Sequence, residues 1–207
     1  MNSDPDEYVT IRGEFHARQK IRGSVFLAIA APVASADEGD KLLEVWRRAH
    51  FDATHVCWAR KLGPPPNVEE RWDDDGEPHG TAGPPILQVL AGAELWNVQI
   101  GVVRWFGGTK LGTGGLVRAY GGTARKAIDT APRKIVVITK TLEVIVPGER
   151  IGVVYALADK LEASPEPPEF TPDGMKLHLT TRRSRAKSLM ESIIDSTAGQ
   201  ARVEIIP

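Results

Sequence analysis

Cysteine is the scarcest chemical resource in this chain: Cys57 is the only one in 207 residues. A single thiol excludes an internal disulfide and a cysteine-built zinc site, so stability has to come from burial, and a reducing compartment is expected. No stretch approaches the roughly 20 consecutive apolar residues of a membrane-spanning helix. The first residues carry Asp4, Asp6 and Glu7 where an export signal would be basic, and no apolar run follows. A cytoplasmic location without membrane contact is therefore expected. Net charge is scarce too, at -1. Overall charge gives no reason to expect a polyanion as partner, and any such binding must come from local patches.

What is present is ordinary globular material. Hydrophobic residues make up 42% and charged residues 26%, enough to bury a core and too little charge bias for disorder, over a length that suits one or two compact units. Residues 8–33 read as extended, with Val25, Leu27 and Ile29 at a period of two. Ser35 with Glu38 is a capping-box pattern opening a helix whose inner face is Leu42, Leu43, Trp46 and Ala49. A strand is expected over His55 to Leu62, ended by Gly63 and Pro64 to Pro66. Asn67 to Gly83 reads as an acidic, turn-rich loop, followed by a short helix around Ile86 to Leu90. Val98 to Val103 has the apolar content of a buried strand. Phe106 to Gly115 is a glycine turn, and Leu116, Tyr120, Ala124, Ala127 and Ala131 trace a helix that stops before Pro132.

From Ile135 the pattern restarts. Strand 135–146, helix 149–161, a Pro-rich break at 165–168, strand 175–181, helix 182–197 with Gly199 as its C-cap, and strand 201–206 read as β-α-β-β-α-β, the ferredoxin-like order. The expected fold class is thus α+β in two domains, residues 1–134 and 135–207.

The sharpest chemical feature runs from Arg104 to Tyr120. Seven glycines lie between Gly107 and Gly122, and residues 95–128 contain no acid while Arg104, Lys110, Arg118, Arg125 and Lys126 are basic. Glycines let backbone N–H groups approach a ligand, and a helix entered at such a turn presents unpaired N–H groups and its positive dipole end. Arg104, Gly107, Gly108, Lys110, Gly112, Gly114, Gly115 and Arg118 are accordingly candidates for binding phosphate or nucleic acid. The alternative is that the glycines serve close packing and the bases are solvated. Thr113 stands where a P-loop needs lysine, and Val117 where the dinucleotide fingerprint needs a third glycine, so neither nucleotide motif fits.

Asp74 and Glu77, with Asp75 beside them, lie on the acidic loop. Carboxylates on a tight loop suit Mg²⁺, the one cofactor the chain suggests, or a salt bridge that neutralises the basic turn; the alternative is that Asp74 and Glu77 cap turns and the helix that follows. His55 and Cys57 are two apart on one strand and so share a face; a buried thiol beside a hydrogen-bonded histidine is the ordinary reading of such a pair. In the second domain no acid lies between Asp173 and Glu191, and Arg182, Arg183 and Arg185 cluster at a helix start. Cations there oppose the helix dipole, so these three are further anion-binding candidates.

Three stretches, Ala53-Thr-His-Val-Cys-Trp-Ala, Asp74-Asp-Gly-Glu-Pro-His-Gly-Thr-Ala-Gly and Arg104-Trp-Phe-Gly-Gly-Thr-Lys-Leu-Gly-Thr-Gly-Gly-Leu-Val-Arg-Ala-Tyr, occur in order and together resemble the IMPACT/YigZ family. The resemblance covers most of residues 15–131. It implies an amino-terminal two-layer α/β domain like the second domain of a small-subunit ribosomal protein and domain IV of elongation factor G. It also implies a ferredoxin-like second domain like domain V of that factor. Translation is the setting it suggests, with RNA or the ribosome as partner, though fold analogy by itself does not establish function.

Three functions remain open on these residues. One is an RNA- or ribosome-binding regulator using the glycine turn. The second is a metal-assisted phosphoryl or nucleotide hydrolase in which Asp74 and Glu77 hold Mg²⁺ and Arg104 and Lys110 hold phosphate. The third is a protein-interaction adaptor with Trp72, Trp105 and Phe106 as aromatic anchors.

Overall fold

The computed structural model describes residues 6–64 and 67–206. Asp4 and the prolines at 65 and 66 lie outside them. The chain divides into a unit of Tyr8–Val136 and a second that runs from Val137 onward and takes in Asp6 and Glu7. The linear division at residue 134 places those two acids in the other unit.

In the first unit a five-stranded sheet has the order β2-β3-β6-β4-β5, with every neighbouring pair antiparallel. Its strands are β2 (Phe15–Ile21), β3 (Ser24–Pro32), β4 (His55–Leu62), β5 (Glu69–Asp73) and β6 (Val98–Trp105). β1 (Glu7–Ile11) pairs separately with β7 (Arg133–Val137). Alternation along the strands produces two apolar faces. Phe26, Ala28, Cys57, Ala59, Ile100 and Val102 face α2 (Gly83–Gly92) and α3 (Thr113–Thr130). Ile29, Val56, Trp58 and Val103 point the other way and meet Leu43 and Trp46 of α1 (Ala36–Ala49). Ser35 caps α1 by accepting from Glu38 N at 3.2 Å, and Glu38 closes the exchange on Ala34 N at 2.6 Å, one residue beyond the usual partner.

Two expectations need correction here. The stretch expected as loop from Asn67 contains β5, an edge strand whose acidic residues resemble loop composition but whose register pairs Trp72 with Ala59. The expected strand 135–146 is two strands, β7 and β8 (Thr139–Val146), because Ile138 leaves the ladder to bond elsewhere: its N–H donates to Asp6 O and its carbonyl accepts from Arg183 N.

In the second unit the sheet order is β10-β11-β8-β12, with β10 (Glu169–Thr171), β11 (Gly174–Arg182) and β12 (Arg202–Ile206). α4 (Ile151–Lys160) and α5 (Ala186–Ser196) supply Val154, Ala158, Leu189 and Ile193 against Leu142, Val144, Leu177 and Leu179. This is the ferredoxin-like arrangement. Its second strand sits in the Pro-rich break, split into β9 (Ser164–Pro165) and β10, both on β11. Proline lacks the N–H a ladder needs, which suits an interrupted edge strand.

Candidate nucleic-acid interface

The alternation of β6 that buries Ile100 and Val102 also turns Arg104 inward, toward α3. Arg104 is only 5% exposed. Its Nη1 donates to Glu77 Oε1 at 2.5 Å, and the Tyr120 hydroxyl donates to the same oxygen at 2.6 Å. The guanidinium lies 5.4 Å from the ring centres of both Phe26 and Phe106. Tyr120 in turn meets Phe26 edge to face at 5.2 Å. Acidic loop and basic segment thus meet, but in the interior. Arg104 spends its charge on Glu77 and is not on the anion-facing surface where the glycine motif suggested it.

The remaining loop acids are engaged as well. Asp74 Oδ1 accepts from Ala82 N and Gly83 N, and its Oδ2 accepts from Gly80 N, so this carboxylate caps the start of α2. Asp75 accepts from Val56 N at 2.7 Å and from Arg47 at 2.9 Å, tying the loop to β4 and α1. His55 Nδ1 lies 2.7 Å from Asp75 O, so that nitrogen is the protonated one. Of the two carboxylates expected as Mg²⁺ ligands, Asp74 has both oxygens bonded to backbone N–H groups, and Glu77 has Oε1 bonded to Arg104 and Tyr120. No group of three or more metal-ligating side chains occurs among the described residues. The capping alternative is the one the geometry favours for Asp74.

Cys57 is fully buried and its Sγ donates to Asp74 O at 3.0 Å. Burial pushes the thiol above its ordinary 9.0, offset in part by a hydrogen bond with Tyr120 and reinforced by Glu77, Asp75 and Asp74. Burial, with Cys57 adjacent, raises the Tyr120 hydroxyl also. Both stay neutral, which makes them packing groups and poor nucleophiles.

This buried cluster supports the turn above it. Ser24 Oγ accepts from Gly107 N at 3.1 Å and from Arg104 Nη2 at 3.4 Å, and Thr54 Oγ1 accepts from Phe106 N at 3.0 Å. Gly107 must be glycine, because a Cβ there would stand 1.9 Å from the carbonyl carbon of Gly23. Gly108 and Gly112 have φ of +82° and +71°, and Gly112 is the N-cap of α3, which has no side-chain cap and no acid in its first turn. Gly114 and Gly115 occupy that turn. Lys110 and Arg118 are exposed and have no acidic partner among the described residues. The Arg118 side chain lies back along the helix, its Nη1 within 3.6 Å of where a Gly114 Cβ would stand.

Composition around the glycine motif hid part of this face. Residues 15–36 also contain no acid and carry Arg22 exposed at the β2–β3 turn, whereas the exposed Arg18 and Lys20 alternate with Ala17, Gln19 and Ile21 and so point to the sheet face opposite α3. No motif marks that stretch, yet β3 lies directly against β6 and α3 packs on β2 and β3, so the two acid-free segments become one region of the fold.

The basic group in the second unit has a different fate. Arg182 pairs with Glu7 at 2.9 Å, Arg183 Nε lies 3.8 Å from Asp6, and Arg185 pairs with Glu162 at 2.6 Å. Asp6 also accepts from Ser184 N at 2.8 Å and from the Ser184 hydroxyl. The missing acids are supplied from distant sequence, so these three arginines are neutralised within their own unit and are not an open anion site. Of the proposed aromatic anchors, Phe106 is 47% exposed, Trp72 is 38% exposed and Trp105 is half-buried against His50.

Fold and site together define a two-unit α+β protein with a basic, glycine-rich face braced from below by a buried ion pair. The chain belongs to the IMPACT family: the Impact N-terminal domain matches residues 22–128. An IMPACT family member encoded in the pol 5' region of Thermus thermophilus is 38% identical over 187 residues, 89% of this chain and 99% of the relative. The Escherichia coli IMPACT family member YigZ is 38% identical over 128 residues, covering 60% of this chain and 63% of its own. A crystal structure of a hypothetical protein shares the fold, with a TM-score of 0.71, 24% identity and 98% coverage of both chains. No helix among the described residues is long and apolar enough to cross a membrane.

Proposed function

We propose that this protein is a cytoplasmic RNA-binding regulator that acts in translation, at the ribosome or on structured RNA, through the Phe106–Arg118 turn and helix start. The observation that carries the reading is the pairing of opposites at one place. Glu77 removes Arg104 from the surface and anchors the turn, while Lys110 and Arg118 stay exposed without acidic partners beside an uncapped helix N-terminus. A rigid support beneath free cations and free backbone donors is the arrangement that places phosphates without ordering cost at the moment of binding. Membership of the IMPACT family, and the ribosomal-protein and elongation-factor domains to which the sequence resemblance points, support the translational setting.

The hydrolase reading loses its residues, since Asp74, Asp75, Glu77 and Arg104 are committed to holding the loop. Titrating structured RNA into the full chain across a range of salt tests the proposal. Affinity that falls steeply with salt, and is weakened by Lys110→Ala or Arg118→Ala, is the expected result; salt-independent binding or none would end it.

A further inference from the structure

The tip of the β2–β3 hairpin carries a feature that the glycine motif does not reveal. Arg22 and Gly23 form its two-residue turn with φ of +45° and +86°. Both central positions of such a turn favour glycine, asparagine or aspartate, because a larger side chain crowds the left-handed backbone. Arginine is therefore a disfavoured residue at this position.

Arg22 lines a depression of about 260 Å³ whose other walls are Ile21, Leu111, Gly115, Arg118 and Ala119. Two arginines from separate elements thus line one small depression, and neither has an acidic partner among the described residues. An anion entering the depression would find both cations without a competing carboxylate. The rest of the wall is apolar, from Ile21, Leu111 and Ala119.

We propose that this depression is a nucleotide subsite, with the phosphate held between Arg22 and Arg118 and the sugar or base edge resting on Ile21 and Leu111. It rests on the RNA reading above and narrows it. A depression that receives a sugar or base edge requires an unstacked nucleotide, so the part of a structured RNA engaged here is an unpaired segment. Arginine suits the task because its planar fork bonds phosphate with two donors.

The test uses the full chain, a short oligouridylate, the same length of RNA duplex, and uridine monophosphate as the free-nucleotide source. Arg22→Gly is the informative variant, since glycine relieves the left-handed strain and the fold keeps or gains thermal stability. It should lose about tenfold in oligouridylate affinity at low salt, the effect of one charge-assisted phosphate contact. Uridine monophosphate should compete with the oligonucleotide for wild type, and the duplex should bind more weakly. Wild-type affinity in Arg22→Gly, or equal binding of duplex and single strand, would overturn the subsite while leaving Lys110-dependent RNA binding intact. Uridine monophosphate binding that needs Arg22, without any RNA binding, would keep the subsite and overturn the broader reading.

Discussion

Replacing Glu77 by glutamine removes a negative charge from a place where the positive one opposite has no route to water. Arg104 is 5% and Glu77 8% exposed, and their contact is 2.5 Å. Glutamine retains an acceptor oxygen for Arg104 and Tyr120, so the change isolates the charge from most of the hydrogen bonding. Breaking a buried ion pair by neutralising one member costs about 3–5 kcal/mol, because the other is left uncompensated in a low-dielectric interior. At about 3–4 °C per kcal/mol for a unit of this size, the first unit should melt about 10–20 °C lower. Thermal unfolding followed by circular dichroism reads this directly. A companion double substitution, Glu77→Leu with Arg104→Met, replaces the pair by apolar groups of similar length and should recover much of the loss. Melting of Glu77→Gln within about 2 °C of wild type, a shift worth less than about 1 kcal/mol, would refute the reasoning.

Other consequences follow from the same interior and from the second unit. Cys57 and Tyr120 have folded-state pKa values raised by burial, so their contribution is fully present below the unfolded values and is lost as pH climbs. Between pH 9 and 10, the ordinary values of the two groups, stability should fall by about 1 kcal/mol from Cys57 alone, with the slope steepening toward about 1.4 kcal/mol per pH unit above pH 10. Denaturant midpoints should show that slope, and Cys57→Ala should flatten it. Arg60 is 2% exposed and relies on Asp40 at 2.6 Å and Ala36 O at 2.9 Å; Asp40→Ala should cost about 2 kcal/mol in urea unfolding, and no change would show that the guanidinium finds other partners. Arg185 is already paired with Glu162, so Arg185→Ala should leave RNA affinity unchanged in a filter-binding titration, whereas a loss comparable to that of Lys110→Ala would reopen the second unit as a binding face.

Local pattern was enough for elements whose ends are marked chemically. His55–Leu62 stops where Gly63 and Pro64 stop it, and α3 shows the apolar stripe that its period requires. β5 was hidden because Glu69, Glu70 and Asp73 give an edge strand the composition of a loop, and only its pairing with β4 identifies it. The same limit governs the site. Glycine turn and flanking cations are visible as a contiguous motif, but which cations are free depends on acids far away in sequence. Glu77 claims Arg104, and Asp6, Glu7 and Glu162 claim the arginines at 182, 183 and 185. Arg22 carries no motif at all; its position is set by a turn whose strain shows only in its backbone angle.

The central claim is that Lys110 and Arg118 face phosphates, and the salt dependence of RNA binding measures this most directly. Each phosphate contact adds about 0.7–0.9 to the slope of log affinity against log salt. Removing both side chains in Lys110→Ala/Arg118→Ala should therefore reduce the slope by about 1.4–1.8 as affinity falls. A double variant with the wild-type slope, or a wild-type protein whose RNA binding ignores salt, would contradict the account.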